Sequence, residues 1–314
     1  MSIIETLLQQ HPVRKSKAQK AAFREWFVGW AKEQGYTAQV ESGWNLARCH
    51  NIVVGDPENA EVTYTAHYDT QPVMIVPNFI TPCNVLIYIA YQLILCVVLF
   101  AAPMLLGALA GWLVGLISVE AGILAGGFTS TGGMIAVMAL MLLGPANKHC
   151  ANDNTSGVAA VMELMQRLPQ EQRGKAAFIL FDNEELGLLG SSAYASKHKA
   201  VKKDKLIINM DCVGDGENIL FFANKRTREL PCFPALESAM AEQTGRNFVM
   251  NRMEKCVYPS DQASFRHGIA VCACNRAKVI GYYCDKIHTA KDTICEQANL
   301  DFLAAGLADF TSRL

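Results

Sequence analysis

Apolar positions recur along this chain with two periods, separated by one long stretch that has no period at all. From Lys15 to Gln34, Ala22, Phe23, Trp26, Phe27 and Trp30 fall at helical spacing, which predicts a helix packed on a core. Short strand-like runs follow at Thr37–Val40, Asn51–Val54 and Val62–Ala66, the last two joined by an Asp56-Pro57-Glu58-Asn59 turn. In the second half, helical patterns at Val158–Leu168, Leu188–Lys199, Pro234–Gln243 and Gln297–Leu314 are interleaved with strand-like runs. These runs are Ala176–Phe181, Lys205–Met210 and Ile269–Cys274. The first of them is apolar throughout, as in a parallel strand buried on both faces. The interleaving predicts an α/β fold.

Between the halves the pattern changes. From Thr70 to Asn147 the single charged residue is Glu120. Val85–Ile117 is almost wholly apolar, and Ile123–Leu143 forms a second, weaker run. One helix over the first run would be about 50 Å long against a hydrocarbon core of about 30 Å. It is therefore expected to break, with Pro103 the natural place. Both ends must return to the same globular body, so the number of crossings is even. Two are expected, at Asn84–Leu106 and Gly122–Gly144, with a re-entrant, interfacial or tilted piece between them. The organisation is thus a catalytic domain formed by residues 1–78 and 146–314, and a transmembrane helical insertion at 79–145. Gly107-xxx-Gly111-xxx-Gly115 and Gly122-xxx-Gly126 have the spacing that lets membrane helices approach closely, and would let two chains pair as a homo-oligomer. Glu120 stands in the connecting loop without Lys or Arg, while Lys148 follows the second run. The positive-inside tendency then puts the body in the cytoplasm, at the plasma (inner) membrane.

Composition narrows the classes. A net charge of −1 over 314 residues, with 51% hydrophobic residues, offers nothing for nucleic acid. Eleven cysteines contain no CxxC pair, and Met1–Lys20 is polar and basic rather than a secretory signal. Free thiols in a reducing compartment are expected, with Cys272 and Cys274 on one face of a strand as core residues.

The candidate chemistry sits just after the apolar strands. Glu184 and Glu185 follow Ala176–Phe181, where the groups of open α/β sheets gather. Adjacent carboxylates repel, so such a pair needs a nearby cation or one raised pKa; the ordinary alternative is a solvated pair opening a helix. His67 and Asp69 lie two apart at a strand end and face one way, so His67 can bind a metal while Asp69 takes its other ring N–H. Asp153 lies in a turn-rich Asn-Asp-Asn-Thr-Ser-Gly segment, Asp211 ends a strand, and His288 lies in a late loop. Two histidines with several carboxylates suit a pair of zinc-like divalent ions sharing one aspartate. Such a pair can activate a water, and a carboxylate that is not a ligand is then needed to move the proton.

Together, His67-x-Asp69, Asp153-Asn-x-Ser-Gly, Glu184-Glu185-x-Gly-Leu-x-Gly-Ser191, Asp211, Ser260-Asp261 and His288-Thr-x-x-Asp292-Thr resemble the co-catalytic zinc aminopeptidases. This is the metallopeptidase clan (MH) that includes bacterial leucyl aminopeptidase and glutamate carboxypeptidase. The resemblance covers nearly all of the chain outside the apolar insertion. It implies a three-layer α/β/α fold with a mixed central sheet. It also implies that His67 and Asp211 hold one metal, Glu185 and His288 the other, and that Asp153 bridges them. Glu184 would be the general base and acid, and Asp69 would orient His67. The chain departs from the pattern at Gln262, where relatives often carry histidine or another large residue, and in the insertion, where soluble relatives have a loop. The expected activity is a membrane-anchored aminopeptidase acting on peptides. Alternatives are an amidase for N-acyl amino acids or other lipophilic amides, and a non-catalytic scaffold on the peptidase fold.

Overall fold

The computed structural model describes residues 1–74 and 76–314. Nine strands form one mixed sheet: β1 (Ala38–Trp44), β2 (Arg48–Val54), β3 (Val62–His67), β4 (Ala176–Phe181), β5 (Leu206–Met210), β6 (Asn218–Ala223), β7 (Asn247–Arg252), β8 (His267–Ala277) and β9 (Gly281–Tyr283). They are ordered β1-β2-β4-β3-β5-β8-β6-β7, with β9 pairing β8. The four central strands β4, β3, β5 and β8 run parallel, while β2 and β6 join them antiparallel. Side chains alternate across this sheet. Tyr64, Phe178 and Ile208 face a layer built from α1 (Ile3–Gln10), α2 (Lys17–Glu33) and, later in the chain, the helices Gly157–Arg167, Phe233–Ala241 and Gln297–Ser312. Ile179, Phe181 and Ile207 face the opposite layer, with Tyr194 and Val201. The result is the three-layer α/β/α arrangement expected.

Two ladders were not foreseen from the pattern. β6 and β7 pair with each other, and β6 lies inside the sheet against β8. Cys272 and Cys274 point to one buried face of β8 as expected, and all eleven cysteines are free.

The insertion is a plain hairpin. Helix α3 (Val85–Gly115) and helix α4 (Val119–Leu143) are both long and apolar enough to cross a membrane, and both leave most of their surface exposed. Pro103 does not break α3, so the expected stop there is wrong. Its ring packs against Gly133 of α4, where an added Cβ would lie 2.9 Å from the Pro103 Cβ. A partner helix that covers the kink-prone turn lets the helix continue. Among the described residues there is no separate re-entrant piece: α3 extends through 107–115, residues 116–118 close the turn, and the Ser118 side chain caps α4. The glycines meet within the chain. A Cβ on Gly122 would stand 2.6 Å from the Gly111 carbonyl oxygen, and one on Gly126 3.0 Å from that of Gly107. The close-approach spacing that would serve a second chain is therefore used by the hairpin itself.

Residues 79–84, counted with the insertion on sequence grounds, pair with the catalytic body. Ile80 forms a backbone bridge with Cys284, the Pro82 carbonyl accepts from the Val257 N–H, and Phe79 packs on Tyr283.

Candidate metal centre

Three neighbouring parallel strands deliver most of the cluster at their C-terminal ends. β3 ends at His67, with Asp69 just beyond; β4 is followed by Glu184 and Glu185; β5 is followed by Asp211. The chain turns sharply after β4 and β5, and again at His288. Asn183, Leu188, Cys212 and His288 all have φ near +60°, which non-glycine residues avoid at about 1–2 kcal/mol each. Such positions persist where surrounding contacts hold them, and here they aim the acidic and histidine side chains at one point.

Asp153 comes from the loop Ala151–Ser156, where its peptide bond to Asn154 is cis. The loop is held from two sides. The Asp292 carboxylate accepts the backbone N–H groups of Asn152 and Asp153 at 2.7 and 2.9 Å. Asn154 donates to the Met210 carbonyl at 3.0 Å and accepts from the Gly157 and Cys212 N–H groups, which locks the loop to the end of β5. Tyr258 donates to the Asp211 carbonyl at 2.9 Å.

All seven residues singled out in the sequence converge. His67 Nε2 lies 3.4 Å from one Asp153 oxygen, Oδ1, and 3.5 Å from Asp211 Oδ1. His288 Nε2 lies 3.1 Å from the other Asp153 oxygen, Oδ2, and 3.5 Å from Glu185 Oε2. Donors around a four-coordinate ion with bonds near 2.0–2.1 Å are about 3.3 Å apart, which these spacings match. The donor set therefore fits two ions, one per histidine, with one Asp153 oxygen turned toward each. Glu184 Oε2 is 4.0 Å from His67 Nε2, farther than the other carboxylates, and with His67 and Glu185 it forms a third possible donor group.

Asp69 has a more composite part than orienting His67 through its carboxylate. The His67 Nδ1 is nearer to the Asp69 carbonyl oxygen, at 3.2 Å, than to the carboxylate, at 3.6 Å. The carboxylate instead accepts the backbone N–H groups of Glu184 and Glu185 at 3.0 and 3.3 Å, fixing the acidic pair.

The electrostatics follow from burying so many acids together. Burial raises Glu184 well above the carboxylate range, opposed by His67 and reinforced by Asp211, Asp261 and Asp69. Burial, Asp153 and Glu184 raise Glu185 likewise. Burial alone would lower His67, yet Glu184, Asp153, Asp211 and Asp69 hold it well above its usual value. Asp153 is buried too, but its two histidine neighbours keep it below the carboxylate range. An acid-rich cluster of this kind is strained in charge until cations enter it.

Four contributors escaped sequence reasoning. Arg14 is fully buried, donating to the Tyr68 and His11 carbonyls and to the Thr155 hydroxyl, with burial lowering it to about 10. Gln71, with its amide nitrogen turned inward, donates to Glu185 Oε1 at 2.9 Å. Asp292 is pushed up to about 8 by burial and by Asp153. Asp261 is fully buried beside Ser191, without a well-formed hydrogen bond to either oxygen, and burial raises it to about 7. The Ser260-Asp261 and Asp292 motifs were visible, but nothing in the pattern gave them these jobs. The cluster opens into a cavity of about 270 Å³, walled by Ile80, Leu188, Tyr258, Pro259 and Ile287.

Comparison with known proteins bears on the fold and the family. Aminopeptidase YwaD of Bacillus subtilis (strain 168) is 42% identical over 67 residues, 20% of this chain and 15% of that protein, so the match spans a small part of the relative's length. Glutaminyl cyclase of Porphyromonas gingivalis has a similar fold, with a TM-score of 0.60 at 16% identity, covering 99% of this chain and 97% of the other. So does the LapA aminopeptidase of Legionella pneumophila, with a TM-score of 0.58 at 15% identity, covering 99% and 70%. Residues 134–308, running from the second membrane-type helix to the closing helix, match Peptidase family M28, and the chain belongs to that family of metallopeptidases.

Proposed function

We propose that the protein is a membrane-anchored, two-zinc exopeptidase that removes N-terminal residues from peptides. The observation that carries this reading is the division of Asp153, with one oxygen toward His67 and Asp211 and the other toward His288 and Glu185. In this reading His67 and Asp211 would hold one ion, His288 and Glu185 the second, and Asp153 would contribute to both. Zinc ions bound there would supply Lewis-acid polarisation and lower the pKa of water. Glu184, left outside both donor sets and raised by burial, takes a proton from the attacking water and returns it to the leaving amine. Asp69 holds the Glu184 backbone in place through its N–H. The cavity has room for about one side chain beside the cluster, as an enzyme acting at a chain end requires. The hairpin crosses the inner membrane twice, with the body on the cytoplasmic side next to Lys148.

A second reading is cyclisation of N-terminal glutamine, favoured by the near-complete overlap with the Porphyromonas fold. The two chemistries leave different products. Incubation with glutaminyl peptides should release free glutamine and a shortened peptide, and chelation should abolish the release until zinc is restored. Ammonia released with the peptide bond intact would overturn the peptidase reading in favour of cyclisation. Cleavage of N-acyl amino acids in place of peptides would select the amidase alternative.

A further inference from the structure

A second, larger cavity of about 620 Å³ lies where the hairpin meets the catalytic body, on the far side of Glu185 from the substrate cleft. One wall is apolar and comes from the foot of α4, Leu142 and Leu143, and from Trp44 at the end of β1. Lys15, Lys17 and Arg48 also line the cavity, and Arg48 stands directly across the β1–β2 ladder from Trp44. Among the described residues these three cations have no ion-pair partner, whereas the Lys20 ammonium is spent on Asp182 at 2.6 Å. The acids that line the cavity are also committed. Asp182 holds Lys20 and the His50 N–H, Asp69 holds the Glu184 and Glu185 N–H groups, and Glu185 faces His288. The β1–β2 hairpin beside Arg48 carries two large apolar side chains that are mostly exposed, Trp44 at 75% and Leu46 at 88%. A soluble surface has little reason to pair a bare Trp-x-Leu tip with unneutralised cations. At a bilayer surface, aromatic side chains settle at the headgroup level and basic ones meet anionic lipid.

We propose that this cavity binds the headgroup of an acidic phospholipid, its phosphate between Lys15, Lys17 and Arg48 and its acyl chains along Trp44, Leu142 and Leu143. The placement rests on the reading of α3 and α4 as a membrane hairpin: Leu143 ends the apolar span, so the polar face of the bilayer meets the protein at the cavity mouth. Each basic side chain at an anionic leaflet contributes roughly a fivefold preference, so three together give tenfold or more with room for imperfect geometry.

The test uses the full-length protein in a neutral detergent, titrated with short-chain phosphatidylglycerol, short-chain phosphatidylcholine and inorganic phosphate, with bound lipid counted by native mass spectrometry. Phosphatidylglycerol should bind about tenfold or more tighter than phosphatidylcholine. The combined Lys15→Ala, Lys17→Ala, Arg48→Ala variant should lose that preference while keeping its metal content and circular dichroism. Lys17→Glu, at an exposed position where folding is not at stake, should weaken the preference alone. Equal binding of the two lipids, or a preference that survives both variants, overturns the proposal. Displacement of phosphatidylglycerol by an equal concentration of inorganic phosphate overturns the lipid source in favour of a soluble phosphate. Membrane insertion has its own readout: release of the protein from membranes by alkaline carbonate would refute the anchor, whatever the lipid titration shows.

Discussion

The two halves of this molecule solve opposite problems. The catalytic body buries a dense set of charges and pairs most of them: Asp69 and Asp292 accept backbone N–H groups, Arg14 donates to carbonyls, and His67 faces Asp153 and Asp211, with Asp261 the exception. The hairpin does the reverse, leaving Leu93, Val97, Leu105, Trp112 and Phe128 exposed while its glycines form the inner seam. Large exposed apolar areas mark contact with another apolar phase, and buried charges need partners or a metal. The body is therefore organised by polar satisfaction around a fixed point, and the hairpin by close backbone approach along a line. One can be perturbed without the other.

The largest effect should come from Asp153→Asn. Replacing one oxygen of the pair that faces both histidines, and removing the charge, should deplete both metal positions, and elemental analysis should show less total zinc than in His67→Ala or His288→Ala. Two ions per chain in the Asn variant would break the shared-ligand arrangement. Glu184→Gln comes next: turnover should fall about a hundredfold to ten-thousandfold with metal content unchanged, whereas Glu185→Gln should lose metal. Equal loss of zinc in these two variants would mean that Glu184 is itself a ligand, the alternative left open by its place beside His67, and equal retention would remove Glu185 from the donor set. Third is excision of Val85–Leu143 behind a Gly/Ser linker, which should give a soluble protein that binds both ions and cleaves small amino-acid anilides. Excision of the whole 79–145 stretch should cost more activity, because Ile80 walls the cleft and pairs with Cys284. Equal turnover of the two deletions would remove that role. The smallest effect belongs to Gly122→Leu. Its side chain meets the Gly111 carbonyl, so the hairpin should loosen by about 1–3 kcal/mol in thermal unfolding, with anilide turnover untouched. A parallel loss of turnover would show that seam and site are coupled.

The site was legible because its residues end apolar runs that stop abruptly, as Ala176–Phe181 does before Glu184, and because carboxylates and histidines in that order have few other uses. β6 was not. Its six residues, Asn218–Ala223, follow a glycine-rich turn, and a short apolar run of that kind fixes neither period nor partner until β8 is found beside it. β7 alternates too weakly at the sheet edge to stand out. Pro103 misled for a physical reason: its helix-breaking tendency is a local rule, and the contact with Gly133 that offsets it comes from thirty residues on. Arg14 and Gln71 look like ordinary polar residues, since only the fold shows that they are buried against the cluster.

The unequal lengths of α3 and α4 set a height. The first two turns of α3 belong to the body, where the Tyr91 hydroxyl donates to the Pro77 carbonyl and Gln92 reaches Asn78. Beyond them, the remaining turns of α3 run about 35 Å, close to the roughly 37 Å of α4. The apolar pair is thus long enough for a bilayer with a modest lean, and the first turns of α3 form a root of about 10 Å that is splinted to the body. A root fixed in this way ties the lean of the hairpin to Phe79 and Ile80, and so to the wall of the acidic cleft.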